Sequence, residues 1–360
     1  MRKWKRSSVI KVIAAVILVI TAVCVCLHIS GIVESYHYDM KVKSANASGN
    51  MNDSSQGDNY AYINSTMLTS RIMIESLSKG KTDMILESSA FGRYSAPFIV
   101  DKYLYYTYYK PAFDENTAGD YYRVSLSKGK KSPEKLFENT DQPDMIACSK
   151  SKLYYFYGGM KYGKIYERDL KSGKVIMLKK VRCEGSSPTL FSLQDKTLYS
   201  YEEYTGELTS INVETGISRA YNISTDPDDY VLDMDIYKNN RLLLAMSKSG
   251  ILIYDTGEKK IIRKYQVDLG EPFSISPSTY KMEYRSDKLY YYDDKYDLWQ
   301  CDIGTGATSK LIDIGEYTSW AIDTVSYTYC DNYIVANIGY TNPLKKNDIR
   351  IFDYSGNNAN

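Results

Sequence analysis

Histidine is almost missing from this chain. There are two in 360 residues, His28 and His37, and none beyond. A Ser-His-Asp triad, a Cys-His pair and a histidine-rich zinc site are therefore closed to the long C-terminal part, and the commonest general base is gone. Charge of one sign is missing too: Lys+Arg 45 against Asp+Glu 44 leaves no basic footprint for nucleic acid. Cys24 and Cys26 sit in an apolar run, while Cys148, Cys183, Cys301 and Cys330 are scattered with no CxxC spacing. That pattern makes no disulfide framework or thiolate metal site, and the four read as small buried apolar groups. Phe and Trp are scarce at 8 and 3.

Tyrosine is what the chain has instead, 37 of them. It suits half-buried strands with wet ends, so the composition leans all-β. A β-meander unit stands out at Lys288–Ile312: an aromatic strand, a polar turn, a second strand, a glycine turn and a third strand. Its glycine turn recurs at Leu77–Gly80, Leu126–Gly129, Leu170–Gly173, Val213–Gly216, Tyr254–Gly257, Ile303–Gly306 and Asp353–Gly356. Spacings run from 41 to 50 residues, and glycine is expected there to supply positive φ. The aromatic strand recurs from Leu104, Leu153, Leu198, Leu242 and Leu289, with weaker terminal copies at Tyr60–Ser65 and Tyr333–Gly339.

A further strand precedes each full unit, as at Pro97–Val100, Met145–Cys148, Thr189–Leu193, Val231–Ile236 and Tyr280–Tyr284. Four strands per unit at this period predict an all-β β-propeller of four-stranded blades over residues 60–360. Seven hairpins favour seven blades, with six as the alternative. The first unit is expected to lack its inner strand and the last its outer one.

The N-terminus reads as a membrane span. Residues 1–11 carry Arg2, Lys3, Lys5, Arg6 and Lys11 and no acid, which makes a cytoplasmic basic segment. Residues 12–33, apolar to about residue 29, are long enough for a transmembrane helix acting as an uncleaved signal-anchor. Residues 34–59 are predicted to be a flexible stalk. The chain is thus expected at the cell membrane, single-pass, with the propeller extracytoplasmic.

The motif LYYYD at Leu289–Asp293, followed by a strand and a glycine turn, resembles the LYWTD motif of low-density-lipoprotein-receptor-type propellers. Its tyrosine-rich form is more similar to the bacterial YWTD-like repeats found in membrane-anchored surface proteins. The resemblance covers about Tyr60 to Gly356. Tyrosine or an aliphatic residue replaces the tryptophan throughout, and the threonine recurs only at Thr107. It implies an extracytoplasmic protein- or ligand-binding scaffold, six-bladed in the receptor type.

No residue is assigned a catalytic, metal-binding or cofactor-binding role. Asp293, Asp294 and Asp297, and Asp226, Asp228 and Asp229, lack the alternating register of a calcium loop and read as turn formers. Glu202-Glu203 and Asp114 with Glu115 are adjacent carboxylates, whereas glycosidase chemistry needs two across a cleft. Variation concentrates in the second-to-third-strand loops, Pro111–Asp120, Gly158–Gly163 and Asn342–Asp348, so binding is expected on that face. The reading is a non-enzymatic binding module for a protein, a peptide or a cell-wall glycan, needing no cofactor. The alternative is an extracytoplasmic propeller enzyme, a carbohydrate or peptide lyase or hydrolase working with carboxylates and tyrosines.

Overall fold

The computed structural model describes residues 55–357, apart from 66–68, 101, 111–118, 128–131, 138–143, 149–150, 159–160, 183–188, 195, 203–204, 224–225, 227, 239, 270–279 and 343–347. The N-terminal segments read above as basic flank, span and most of the stalk lie outside these residues. Among the described residues no helix is long and apolar enough to cross a membrane.

Seven antiparallel sheets follow one another along the chain. Blade 1 spans residues 55–87, blade 2 93–137, blade 3 144–182, blade 4 189–221, blade 5 231–265, blade 6 283–312 and blade 7 322–353. Each is a consecutive meander, so no strand is exchanged between described blades. The chain forms a seven-bladed propeller, and the six-bladed alternative falls away. The first blade does keep an inner strand, reduced to Ser55–Gln56. The last has three described strands against four in every other blade.

The LYYY pattern explains how blades stack. Successive strand residues point to opposite faces. In blade 3, Leu153 and Tyr155 pack towards blade 2, and Tyr154 and Phe156 towards blade 4. In blade 2, Leu104 and Tyr106 face blade 1 while Tyr105 faces blade 3. The core is therefore a series of apolar layers between blades, each buried side chain contributing about 1.5–3 kcal/mol. The layer joining blades 5, 6 and 7 is the most extensive. Among the described residues the layer at the seam between blades 7 and 1 is the thinnest, centred on Tyr60, Cys330, Val335 and Ile351.

The hairpin turns carry a correction. Gly80, Gly173, Gly216, Gly306 and Gly356 do adopt positive φ, but Gly257 does not; in blade 5 the left-handed residue is Lys259, at φ 55. Backbone bonds give the reason. Thr256 N bonds Asn240 O as Ile303 N bonds Asp287 O, so Gly257 corresponds to Gly304 and Lys259 to Gly306. The register is set by a carboxylate or amide that caps the turn four residues before the left-handed position. Asp169 Oδ1 accepts from Lys171 N and Ser172 N, Asn212 Oδ1 from Glu214 N and Thr215 N. Asp255 Oδ1 accepts from Gly257 N and Glu258 N, and Asp302 Oδ1 from Thr305 N and Thr305 Oγ1.

Those bonds favour the ionised form, so Asp169, Asp255, Asp302 and Asp353 are all held below the ordinary aspartate value, chiefly by turn donors. Since the folded values are depressed, the unfolded chain binds more protons in acid. The stability they add is complete above the ordinary aspartate pKa of about 4 and is lost as pH falls below it. Asp302→Asn keeps the capping oxygen, as Asn212 does naturally. It should preserve the midpoint of thermal unfolding near pH 7 and flatten its decline between about pH 4 and pH 2. Asp302→Ala should lower the midpoint at both ends of that titration, read by calorimetry.

Candidate functional site

Three regions hold the polar groups from which a site could be built. The first is the inner strands around the axis. An inner strand is an edge strand, and every second backbone N–H along it faces away from its own sheet. Buried N–H groups need acceptors. Asp233 and Asp235 lie two apart on the inner strand Val231–Lys238 of blade 5, hence on one face, and both are buried. Asp233 Oδ2 accepts from Met282 N at 2.7 Å, beside the inner strand of blade 6, and Asp235 Oδ2 from Tyr284 N at 3.2 Å, within it. Their Oδ1 atoms accept from Met234 N and Ile236 N.

Strand pairing puts Asp235, opposite Leu243, and Glu283, opposite Tyr290, at matching positions of successive blades. Ser192, opposite Tyr199, and Thr328, opposite Val335, occupy the same position in blades 4 and 7. Lys281 matches Asp233 in turn, and all of these residues are buried. Sequence reasoning missed this arrangement. The signal available was a D-x-D pair inside an otherwise apolar strand.

The second region is the face carrying the second-to-third-strand loops. Pro111–Ala118, 159–160 and 343–347 lie outside the described residues, as do Asp114, Glu115, Cys183 and Glu203. At its described margin, Asp120 sits between Lys110 (3.4 Å) and Lys135 (3.0 Å). Burial pushes that carboxyl up, but the two lysines outweigh it and hold it below its usual value. Beside Gly163, Tyr162 is half exposed, with the Lys180 ammonium 3.8 Å from its ring centre.

The third region is an open cleft of about 630 Å³ lined by Lys238, Asn240, Arg241, Asp255 and Glu258. It lies on the glycine-turn face, opposite the loops that the sequence favoured. Arg241 Nε and Asp255 Oδ2 pair across it at 3.1 Å. Asp255 is already the cap of its turn, so its carboxylate is engaged by Arg241 and by the turn amides of Gly257 and Glu258.

The acidic clusters resolve as turn chemistry. Asp293 Oδ1 accepts from Lys295 N and Asp297 N, and Oδ2 from Trp299 Nε1. Asp297 bonds Lys310 Nζ at 2.6 Å and Ile314 N. Asp226 caps Asp228 N, Asp229 accepts from Lys248 N and Ser249 N, and Glu202 accepts from Thr205 N. Among the described residues, no group of three potential ligands could hold a metal ion.

Cys148, Cys301 and Cys330 are buried and form no disulfide among the described residues. Burial pushes the Cys148 thiol up to about 12 and the Cys301 thiol up to about 11, so both stay protonated at neutral pH. The tyrosines behave alike: burial pushes Tyr155 and Tyr265 up to about 12. Tyrosine hydroxyls serve as donors to backbone carbonyls. Two bonds run between blades, Tyr265 to Ile303 O at 2.7 Å and Tyr327 to Tyr296 O at 2.6 Å, while Tyr354 bonds Cys330 O within blade 7 at 2.6 Å.

Solved propellers share this architecture. The chain is similar to the β-propeller domain of the Trilobed protease from Pyrococcus furiosus, described as having an open velcro topology (13% identity, 86% of this chain and 94% of that one, TM-score 0.55). It is similar also to Saccharomyces cerevisiae Sqt1 (12% identity, 84% and 82%, TM-score 0.52) and to Kluyveromyces lactis Hsv2 (12% identity, 81% and 89%, TM-score 0.52). At such identities the likeness is one of fold. No protein-family model matches the chain. No curated protein matches it either.

Asp233→Ala should destabilise the ring by about 1–3 kcal/mol for the buried Met282 N–H it orphans. Asp233→Asn should cost nearly as much, because both carboxylate oxygens accept and an amide supplies one. Equal stability of wild type and the Asn variant in urea titration would contradict that role.

Proposed function

We propose that this chain is a membrane-anchored, extracytoplasmic β-propeller that works as a non-enzymatic binding module. Its partner is a protein, a peptide or a cell-wall glycan, engaged on the loop face. The observation that carries the reading is the use of Asp233 and Asp235: both buried carboxylates on the inner strand of blade 5 are taken up in fastening blade 5 to blade 6. Buried thiols and tyrosines held in their protonated forms support it as well, since an acid–base site needs groups that titrate near neutral pH. Ring-shaped scaffolds carry variable loops on a uniform frame, which is where repeat proteins place recognition.

The anchor rests on the basic flank of residues 1–11 and the apolar run of residues 12–33. The LYYYD motif and its degenerate copies support a likeness to the bacterial YWTD-like propellers, with tyrosine or an aliphatic residue in place of the tryptophan. The enzyme alternative is an outcome of the same test.

Full-length chain expressed in membranes should stay in the pellet through an alkaline carbonate wash; release would remove the anchor from the reading. Purified in detergent, it should retain a partner from cell-wall or membrane extracts. Replacing Gly158–Gly163 by a short glycine-serine linker should weaken that retention by about tenfold or more, as expected for loss of a contact loop. Turnover of a polysaccharide or peptide library without any retained partner would overturn the binding reading in favour of the enzyme.

A further inference from the structure

The outer strand of a blade begins directly after its glycine turn, so the first residues of the outer strands form the rim of that face. On blades 3, 4 and 5 this rim holds aliphatic side chains in water. Val175, Ile176 and Met177 open the outer strand of blade 3, Ile217 precedes that of blade 4, and Ile261 and Ile262 follow Lys260 in blade 5. All six are exposed, Ile217 to 65% and Met177 to 53%.

They form one patch centred on blade 4. Partners across an antiparallel pair share a face of the sheet. Ile176 sits opposite Glu167, which sits opposite Tyr154 of the layer between blades 3 and 4. Ile261 sits opposite Tyr254 of the layer between blades 4 and 5. Both isoleucines therefore flank blade 4, whose Ile217 lies between them beside its own turn.

Charge sets this patch apart from scattered surface aliphatics. Residues 171–180 carry four lysines and no acid, and residues 258–264 carry four basic residues against Glu258 alone, in a chain whose net charge is only +1. Glu258 pairs with Lys260 at 2.7 Å, and Arg263 bonds the carbonyls of Ile303 and Gly304. Lys259 and Lys264 remain as exposed cations beside Ile261 and Ile262. Lys259 also stands at the left-handed turn position, φ 55, where Gly80, Gly173, Gly216, Gly306 and Gly356 stand in other blades. A side chain strains the backbone there, so this turn carries a cation that its own geometry disfavours.

Lysine on an outer strand is by itself protection against edge-to-edge pairing, but bare aliphatics beside it work against that protection. We propose that the glycine-turn rim of blades 3 to 5 docks on an anionic lipid bilayer, its aliphatic side chains entering the headgroup layer and its lysines meeting lipid phosphates. A second copy of the chain fits worse, because antiparallel self-pairing centred on Ile262 sets Lys260 against Lys264 twice. An acidic peptide added to one outer edge covers the residues of one blade, whereas a bilayer reaches all three. The proposal rests on the membrane-anchored reading above for how the rim meets a bilayer, and with it turns the loop face away from the membrane.

Hydrogen–deuterium exchange on the full-length chain in nanodiscs tests the docking. Peptides covering residues 174–180 and 259–264 should exchange about tenfold slower in discs containing phosphatidylglycerol than in phosphatidylcholine alone, and raised salt should shrink the difference. Lys259→Gly installs the residue the other turns use, so it should keep the thermal midpoint. It should still cut the lipid-dependent protection about fivefold, the worth of one lysine beside an anionic surface. Ile261→Ser combined with Ile262→Ser should abolish that protection. Equal exchange in the two kinds of disc would overturn the proposal. Protection in detergent that grows with protein concentration would assign the rim to a second copy, and equal protection by polyglutamate would assign it to an acidic protein segment; either result overturns it. A chain that leaves phosphatidylcholine discs loses the anchor, yet protection of the same peptides on added phosphatidylglycerol discs would keep the docking standing.

Discussion

A four-stranded blade has two apolar faces and an inner edge of bare backbone, and it can hide neither from water alone. The ring exists because each blade supplies what its neighbour lacks. Apolar burial between faces is the larger quantity, but it is non-directional and would allow blades to slide. Direction comes from a few polar contacts that cross the layer. Asp233 and Asp235 reach the backbone of blade 6, Tyr201 accepts from Val231 N of blade 5, and Tyr327 reaches from blade 7 to Tyr296 O.

This accounts for the tyrosine excess better than β-propensity does. A phenylalanine would fill the same layer yet leave carbonyls such as Ile303 O and Cys330 O without the donor they now have. Tyrosine supplies ring and donor in one side chain. Offset ring pairs follow from the crowding: Tyr106 and Tyr122 stack at 5.6 Å and Tyr155 and Tyr166 at 5.5 Å between their ring centres. The same burial that makes these hydroxyls useful for assembly keeps them protonated, which removes them from acid–base work at neutral pH.

Blade number and the alternating burial of LYYY were legible because both follow from local periodicity. The glycine register was legible in five turns and misleading at Gly257, where the capping carboxylate of Asp255 matters more than the glycine. That residue is legible in retrospect, since Asp or Asn stands at the matching position in blades 3 to 7. The bonds of Asp233 and Asp235 were not legible, because their donors lie 49 residues away. Sequence alone cannot distinguish an aspartate pair that joins blades from one that performs chemistry. The open cleft at Lys238 and Arg241 was missed for a related reason: Asn240 and the turn at residues 256–259 meet only in the folded blade.

The polar contacts are unevenly spread around the ring, and that asymmetry bears on how it closes. Blades 5, 6 and 7 share one continuous apolar layer crossed by several buried hydrogen bonds. At the seam, blade 7 meets blade 1 through Asp331 N on Gly57 O at 3.0 Å and through both carboxylate oxygens of Asp58 on Asn332. The two Asp58 contacts are exposed, and exposed polar contacts contribute less than buried ones. Arg285 of blade 6 also reaches the Asp331 carbonyl, at 2.7 Å, so the seam loop is braced from both sides. Since every blade is a consecutive meander, closing the ring demands that its two ends meet without a shared sheet among the described residues. Among the described residues the seam therefore has the least apolar burial and relies on exposed polar joints.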